Sequence, residues 1–339
     1  MYRIVGKNNR INYGVVDEPV DFNIQDFKVL DFFGKEFGPL RRRLPLHAFN
    51  FIGIMSPQFI IGLAAVDLTY MHVVFAYLYH FTDGLLFDYQ TKGPLTRGLR
   101  FPKNPDEYDI FYKKRGTRLH IGKSHMRHHL EIEAAFSERF FVGIEAEYGL
   151  STHNPLRVVN PSEPYRWTFT EKCAPIVPRT IEVFLEKDAV RFDRERTTLL
   201  YDWSGGFLRR ETNWYWSALS GILDDGTPVG ANFAALTNET FFSENAYWIG
   251  HQRHRVPRCV FDFDPADLYA PWRIWDENGL VDLTFTPGGE RREKINALVL
   301  KSNFRQFYGS YDGTLTAADG TKKALEKVHG LAEFHRAVW

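Results

Sequence analysis

Arg127–Tyr148 reads RHHLEIEAAFSERFFVGIEAEY, and its alternation decides the fold class. His129, Glu131 and Glu133 fall on one face of an extended chain, with Leu130 and Ile132 on the other. A period of two is the signature of a half-buried strand. Phe140–Tyr148 repeats it. The pattern extends in both directions. Upstream, Leu46–Gly53, Gln58–Val66, Met71–His80 (MHVVFAYLYH) and Thr117–Ile121 read as strands. Downstream come Thr180–Leu185, Thr212–Leu219, Val229–Leu236, Arg258–Phe263, Leu280–Phe285, Phe304–Asp312 and Lys327–Val338. Asp83-Gly84, Asp225-Gly226, Asn278-Gly279, Asp312-Gly313 and Asp319-Gly320 lie between apolar runs and supply the positive φ that tight hairpins need. Consecutive hairpins form an antiparallel meander, which closes into a barrel or sandwich to remove its edges. The one helical signal is Asn23–Lys35.

The 339 residues suit two domains of about 150 residues each. Prolines at 155, 161, 164 and 175 place the predicted boundary between residues 150 and 195. Phe101–Lys114, with Pro102 and Pro105, reads as an exposed excursion. Formal charge is zero, with 42 basic and 42 acidic residues, so nothing calls for nucleic acid. Two cysteines, Cys173 and Cys259, make neither a disulfide framework nor a metal pair. The N-terminus has no apolar leader. Phe49–Val66, the most apolar stretch, is interrupted by Pro57 and Gln58 and is too short to span a bilayer. A cytoplasmic protein without a membrane span is expected. Aromatic residues make up 16% of the chain, which suits strands and the walls of a cavity alike.

Tyr201–Gly221, YDWSGGFLRRETNWYWSALSG, concentrates the candidate chemistry. Trp214 and Trp216 alternate with Asn213, Tyr215 and Ser217, so both indoles share one face. Asp202, Trp203, Arg210 and Glu211 stand close by in the chain. Apolar walls with a few polar anchors describe a small-ligand pocket. The same residues also fit a packed core with an Arg210–Glu211 ion pair. Asn232, Asn238, Glu244, Asn245, Trp248 and His251 form a second cluster, suited to a barrel mouth or to turn chemistry. His120, His125, His128 and His129 suggest a metal, but adjacent strand residues face opposite ways, and no metal site is assigned. Nucleotide-binding, zinc-protease and serine-hydrolase motifs are missing, and no cofactor is expected.

Tyr201–Gly221, the following VGANFAALTNETFFSENAYWIGHQRHRV and the closing HGLAEFHRAVW resemble the uncharacterised family known as domain of unknown function 2804. LRFPKNPDEYD and the strand at Ile176–Glu182 support the likeness, which covers most of the chain. That family is similar to double-calycin proteins, among them carotenoid hydratases and lipocalin-like cyclases. The resemblance implies an all-β chain of two lipocalin-like antiparallel β-barrels or half-barrels packed together, with few short helices. Residues 1–190 would form the first half and 191–339 the second. It also implies a pocket for an apolar terpenoid, lipid or polyketide-like molecule, and cofactor-free hydration, isomerisation or cyclisation by an acid. Asp202 is the candidate acid and Glu211 the alternative. Trp203, Arg210, Trp214, Trp216, Asn232, Asn238, Glu244, Asn245, Trp248 and His251 are candidate ligand contacts. A carrier without catalysis, or a carbohydrate-binding protein, would use the same aromatic walls.

Overall fold

The structure is a computed structural model and describes residues 1–164, 166–237, 242–296 and 300–338. The chain is all-β: two antiparallel halves, built from three large sheets, pack together. The outer sheet runs from Asp188–Ala189 through Pro178–Leu185, Phe140–Glu147, His129–Phe136, Thr117–Ser124 and Glu107–Lys114 to Leu99–Arg100. The central sheet orders Gly14–Val15, Leu156–Glu163, Arg166–Ile176, Thr198–Phe207, Leu46–Met55, Phe59–Asp67, Met71–His80 and Gly84–Pro94. Outer and central sheets face each other over one large core.

The third sheet orders Gln252–Arg255, Ala246–Ile249, Pro228–Ala235, Glu211–Ile222, Lys322–Val338, Lys301–Thr316, Val281–Asn296, Trp272–Trp275 and Val260–Asp262. It curls about its own core. Val229, Phe233 and Tyr247 near one edge join Trp272, Ile274 and Leu283 near the other in one buried cluster.

The central sheet is covered on both faces. In Phe59–Asp67, Phe59, Ile61, Leu63 and Ala65 enter the first core, while Ile60 and Ala64 face the third sheet. A strand buried on two sides reads as a continuous apolar run, which is why FIIGLAAV resembles a short membrane segment. No helix among the described residues is long and apolar enough to cross a membrane.

Four local expectations are corrected. Asn23–Lys35 holds only the 3-10 turn Ile24–Asp26. The excursion at 101–114 contains the strand Glu107–Lys114, which pairs with Thr117–Ser124. The proline-marked stretch contains the paired strands Leu156–Glu163 and Arg166–Ile176. Their ladders shift register beside Pro161 and Pro175, as expected for a residue that cannot donate to the ladder. Asp312-Gly313 sits inside a strand, at a register shift between Tyr311 and Gly313. The other four Asx-Gly pairs do lie between consecutive paired strands.

Thr198–Phe207 pairs with Arg166–Ile176 and Leu46–Met55 in the central sheet. The chain therefore changes sheet after Phe207, between Leu208 and Arg210.

Candidate functional site

Two neighbouring strands of the central sheet present polar groups on both faces. Along Arg166–Ile176, Trp167, Phe169 and Cys173 enter the first core, whereas Thr168, Thr170 and Lys172 line a cavity on the opposite face. Along Thr198–Phe207, Tyr201 and Trp203 face inward, whereas Asp202 and Ser204 reach the cavity. Strand alternation alone produces this back-to-back arrangement.

The cavity lies between the central and third sheets and holds about 210 Å³. Phe49, Phe51, Val66, Val73 and Phe75 form one apolar wall. Trp214, Trp216, Ile295, Leu300 and Phe304 form the other. At one end, Lys172 Nζ meets Asp202 at 2.5 Å and Glu244 at 4.0 Å. Burial raises the pKa of Asp202, and the Lys172 contact opposes that rise. At the other end the sheets are tied together. Gln90 and Lys92 both bond Glu293, and Arg291 Nε reaches Asp88 at 3.0 Å.

Glu333 enters between these ends, on the strand Lys322–Val338. Trp214 Nε1–H donates to Oε1 at 2.5 Å, and Gln306 Nε2–H to Oε2 at 3.0 Å. Tyr77 O–H holds Gln306 from the central sheet at 2.6 Å. Burial pushes the Glu333 carboxyl up to about 7, against the pull of those two donors. His335 Nδ1 stands 3.9 Å away, and its own burial lowers it to about 3. The imidazole is therefore neutral near pH 7, and among the described residues the charges acting on Glu333 are those of the Lys172–Asp202 pair, which pull in opposite directions.

Among the expected contacts, Asp202, Trp214, Trp216 and Glu244 line this one cavity. Asn232 stands behind them, accepting Trp216 Nε1–H at 2.8 Å and donating to the Glu244 carbonyl at 2.7 Å. The others lie elsewhere. Trp203 packs edge-on against Phe22 and Phe169 in the first core. Arg210 and Glu211 are exposed where the chain changes sheet. Asn245 is buried and accepts the Ala234 N–H. Trp248 packs with Leu156 and Val158 and donates to the Asn154 carbonyl. His251 is exposed. Asn238 lies outside the described residues. Lys172, Gln306, Glu333 and His335 were not anticipated. Period-two spacing from Leu331 puts Glu333 and His335 on one face, and that signal was available in HGLAEFHRAVW.

On the inner face, Glu171 is the hub of a second buried network. It bonds Lys123, accepts Tyr148 O–H at 2.7 Å, and meets Arg157 Nε at 2.9 Å and His125 Nε2 at 3.2 Å. Burial alone would raise the Glu171 pKa. Lys123, His125 and Arg157 outweigh it and hold the carboxyl well below its usual range. The donor atoms of Asp106, His125 and Glu171 lie within 4.8 Å of one another, close enough for a metal ion. Lys123 and Arg157 already balance the two carboxylates, so this reads as a buried ion network joining the outer and central sheets.

Apolar walls, one ion-paired end and one buried carboxyl held by Trp214 and Gln306, set between two antiparallel halves, define a two-part β protein with a cleft at the junction. The chain belongs to the family described as Domain of unknown function (DUF2804), which matches residues 21–339. Among solved structures, that of CghA is similar with a TM-score of 0.52 and 7% identity, over 100% of this chain and 96% of that one. CghA with Sch210972 gives 0.52 and 9% identity, over 87% and 88% of the two chains. Kievitone hydratase from Nectria haematococca gives 0.46 and 11%, over 86% and 88%. At 7–9% identity the likeness to CghA is one of fold. No curated protein matches the sequence.

Proposed function

We propose that the cleft between the halves binds an apolar small molecule and that Glu333 starts acid chemistry on it. The observation that carries this reading is a buried carboxyl group held by two neutral donors, Trp214 and Gln306, among aromatic walls, with burial raising its pKa. As an acid it gives its proton to an electron-rich double bond. The indole faces of Trp214 and Trp216 stabilise the positive charge that develops on carbon. Water then adds and returns a proton to the Glu333 carboxylate, which completes a hydration. Loss of a neighbouring proton to that carboxylate gives an isomer; attack by a second double bond gives a cyclic cation, which then loses a proton to the same carboxylate and leaves a ring. Each route regenerates the acid and needs no cofactor. Asp202, paired with Lys172, serves better as an anchor for a polar group of the ligand than as the acid.

The test is incubation of the purified protein with an apolar extract of its source cells, followed by mass spectrometry of the free and bound fractions. Expected is a species one water heavier or lighter than its precursor, or of equal mass. Glu333→Gln should still retain the precursor and lower turnover by about 10²–10⁴-fold. Turnover should fall as pH rises past about 7, where Glu333 loses its proton. Retention without conversion by the wild-type chain would make the protein a carrier. Full turnover by Glu333→Gln would remove Glu333 as the acid.

A further inference from the structure

Two of the most exposed large apolar side chains among the described residues, Phe32 and Phe33, stand side by side with ring centroids 5.3 Å apart. At the turn Asp31–Lys35, Phe32 is 91% exposed and Phe33 is 90% exposed. The turn is well formed. Asp31 Oδ1 accepts the N–H groups of Phe33 and Lys35, each at 2.9 Å. Gly34 takes φ +79°, and Leu30 bridges Glu36 below it. Two aromatic rings are thus held out into solvent by a braced turn. Leu40, 85% exposed, follows, and then the 3-10 turn Arg41–Arg43. The Arg41 guanidinium lies over the Phe37 ring at 4.3 Å, which joins the two turns.

The charge here is uneven. Residues 28–44 carry five cations (Lys28, Lys35, Arg41, Arg42, Arg43) against two anions (Asp31, Glu36), while the whole chain is neutral. The segment runs straight into the cleft wall. His47 Nε2 contacts the Leu44 carbonyl at 2.9 Å, Leu208 N–H donates to the Pro45 carbonyl at 3.0 Å, and both His47 and Leu208 line the cavity.

We infer that Asp31–Leu44 docks on an anionic lipid bilayer, with Phe32, Phe33 and Leu40 entering the interface and Arg41–Arg43 meeting lipid phosphates. Exposed aromatic rings beside clustered arginines match the two attractions such a surface offers, apolar burial and charge. Around the tip itself Lys28 and Glu36 pair at 3.3 Å, so the positive excess lies in Arg41–Arg43, which the Arg41–Phe37 contact ties to the aromatic turn. Its position lets the cleft exchange ligand with the membrane. That role rests on the apolar-ligand reading above, whereas the docking itself does not.

The full chain should cosediment with phosphatidylcholine vesicles containing phosphatidylserine, bind pure phosphatidylcholine vesicles at least tenfold more weakly, and be released by added salt. Changing both phenylalanines, Phe32→Ser with Phe33→Ser, should weaken binding at least tenfold. Changing Arg41, Arg42 and Arg43 to Gln should weaken it about a hundredfold. Phe32 and Phe33 are exposed, so the serine variant should keep the wild-type circular dichroism spectrum. Absence of binding to the anionic vesicles, or binding unchanged in the serine variant, would overturn the inference. The assay contains no cleft ligand, so its failure would leave the role proposed for Glu333 standing. Glu333→Gln should bind vesicles as the wild type does.

Discussion

Glu333 links the chemistry of the cleft to the stability of the fold. Its folded pKa of about 7 lies above the ordinary glutamate value of 4.5. Between those values the folded chain keeps a proton that the unfolded chain releases. Stability from this group is therefore complete below about pH 4.5 and is lost as pH rises through about 7. The difference corresponds to roughly 3 kcal/mol. Glu333→Gln removes the titration while keeping the shape of the side chain. Urea unfolding of the variant should show less loss of stability between pH 5 and pH 8 than the wild type, by on the order of 3 kcal/mol. Parallel pH profiles for the two proteins would mean that the carboxyl is solvated. Part of the site was readable in the sequence. The spacing of Trp214 and Trp216 put both indoles on one face, and both line the cleft. Asp202 and Trp203 were read as one cluster, yet adjacent strand residues face opposite ways, Asp202 into the cleft and Trp203 into the first core. Lys172 and Glu333 escaped notice for a related reason. Lys172 lies on a strand buried on both faces, with Glu171 opposite it, so no polar alternation marks the cleft side; for Glu333 the period-two pairing with His335 was present, but buried Ala332 on the other face left the cleft side unmarked.

At the level of elements, the cleft exists because two sheets touch closely at one side and stand apart at the other. Gly230, on Pro228–Ala235, makes the close contact. A Cβ there would lie 2.3 Å from the backbone carbon of Ala174 on the central sheet. Backbone cannot move aside as a flexible side chain would. Gly230→Ala should therefore destabilise the protein by about 1–3 kcal/mol through overpacking. The urea midpoint measures this, and an unchanged midpoint would show that the sheets separate freely at that point. Because the wedge also spreads the sheets, the variant should retain apolar ligand less well than the wild type. Strands bounded by tight turns were legible from the sequence, as Met71–His80, which ends just before Asp83-Gly84, demonstrates by matching its expected limits. Arg166–Ile176 was not. Its proline and its buried Glu171 and Lys172 imitate a polar linker, although tertiary partners satisfy every one of those charges.

Over the whole molecule, the two halves share a core. Phe51, Met55, Ile60, Tyr77, Tyr79 and Leu200 from the central sheet pack with Trp216, Ala218, Tyr308 and Leu331 from the third. Tyr77 and Tyr79 also donate hydrogen bonds across the junction, to Gln306 and to the Gly288 carbonyl. Burying one large apolar side chain contributes about 1.5–3 kcal/mol. Exposing this set would then cost on the order of 10 kcal/mol or more, comparable to the whole stability of a typical domain, about 5–15 kcal/mol. Neither half should persist once the other has unfolded. Equilibrium unfolding followed by tryptophan fluorescence, which samples both halves through Trp167, Trp203, Trp216 and Trp272, should coincide with unfolding followed by far-ultraviolet circular dichroism, in one transition. Limited proteolysis between residues 150 and 195 should give no stable pair of fragments, because that stretch supplies two neighbouring strands to the central sheet, the second and third from one edge. Two separated transitions, or a protease-resistant half, would show that the junction contributes far less than its buried side chains imply. A cleft lined by both halves would then be open in solution for part of the time, and ligand retention should weaken at denaturant concentrations below the first transition.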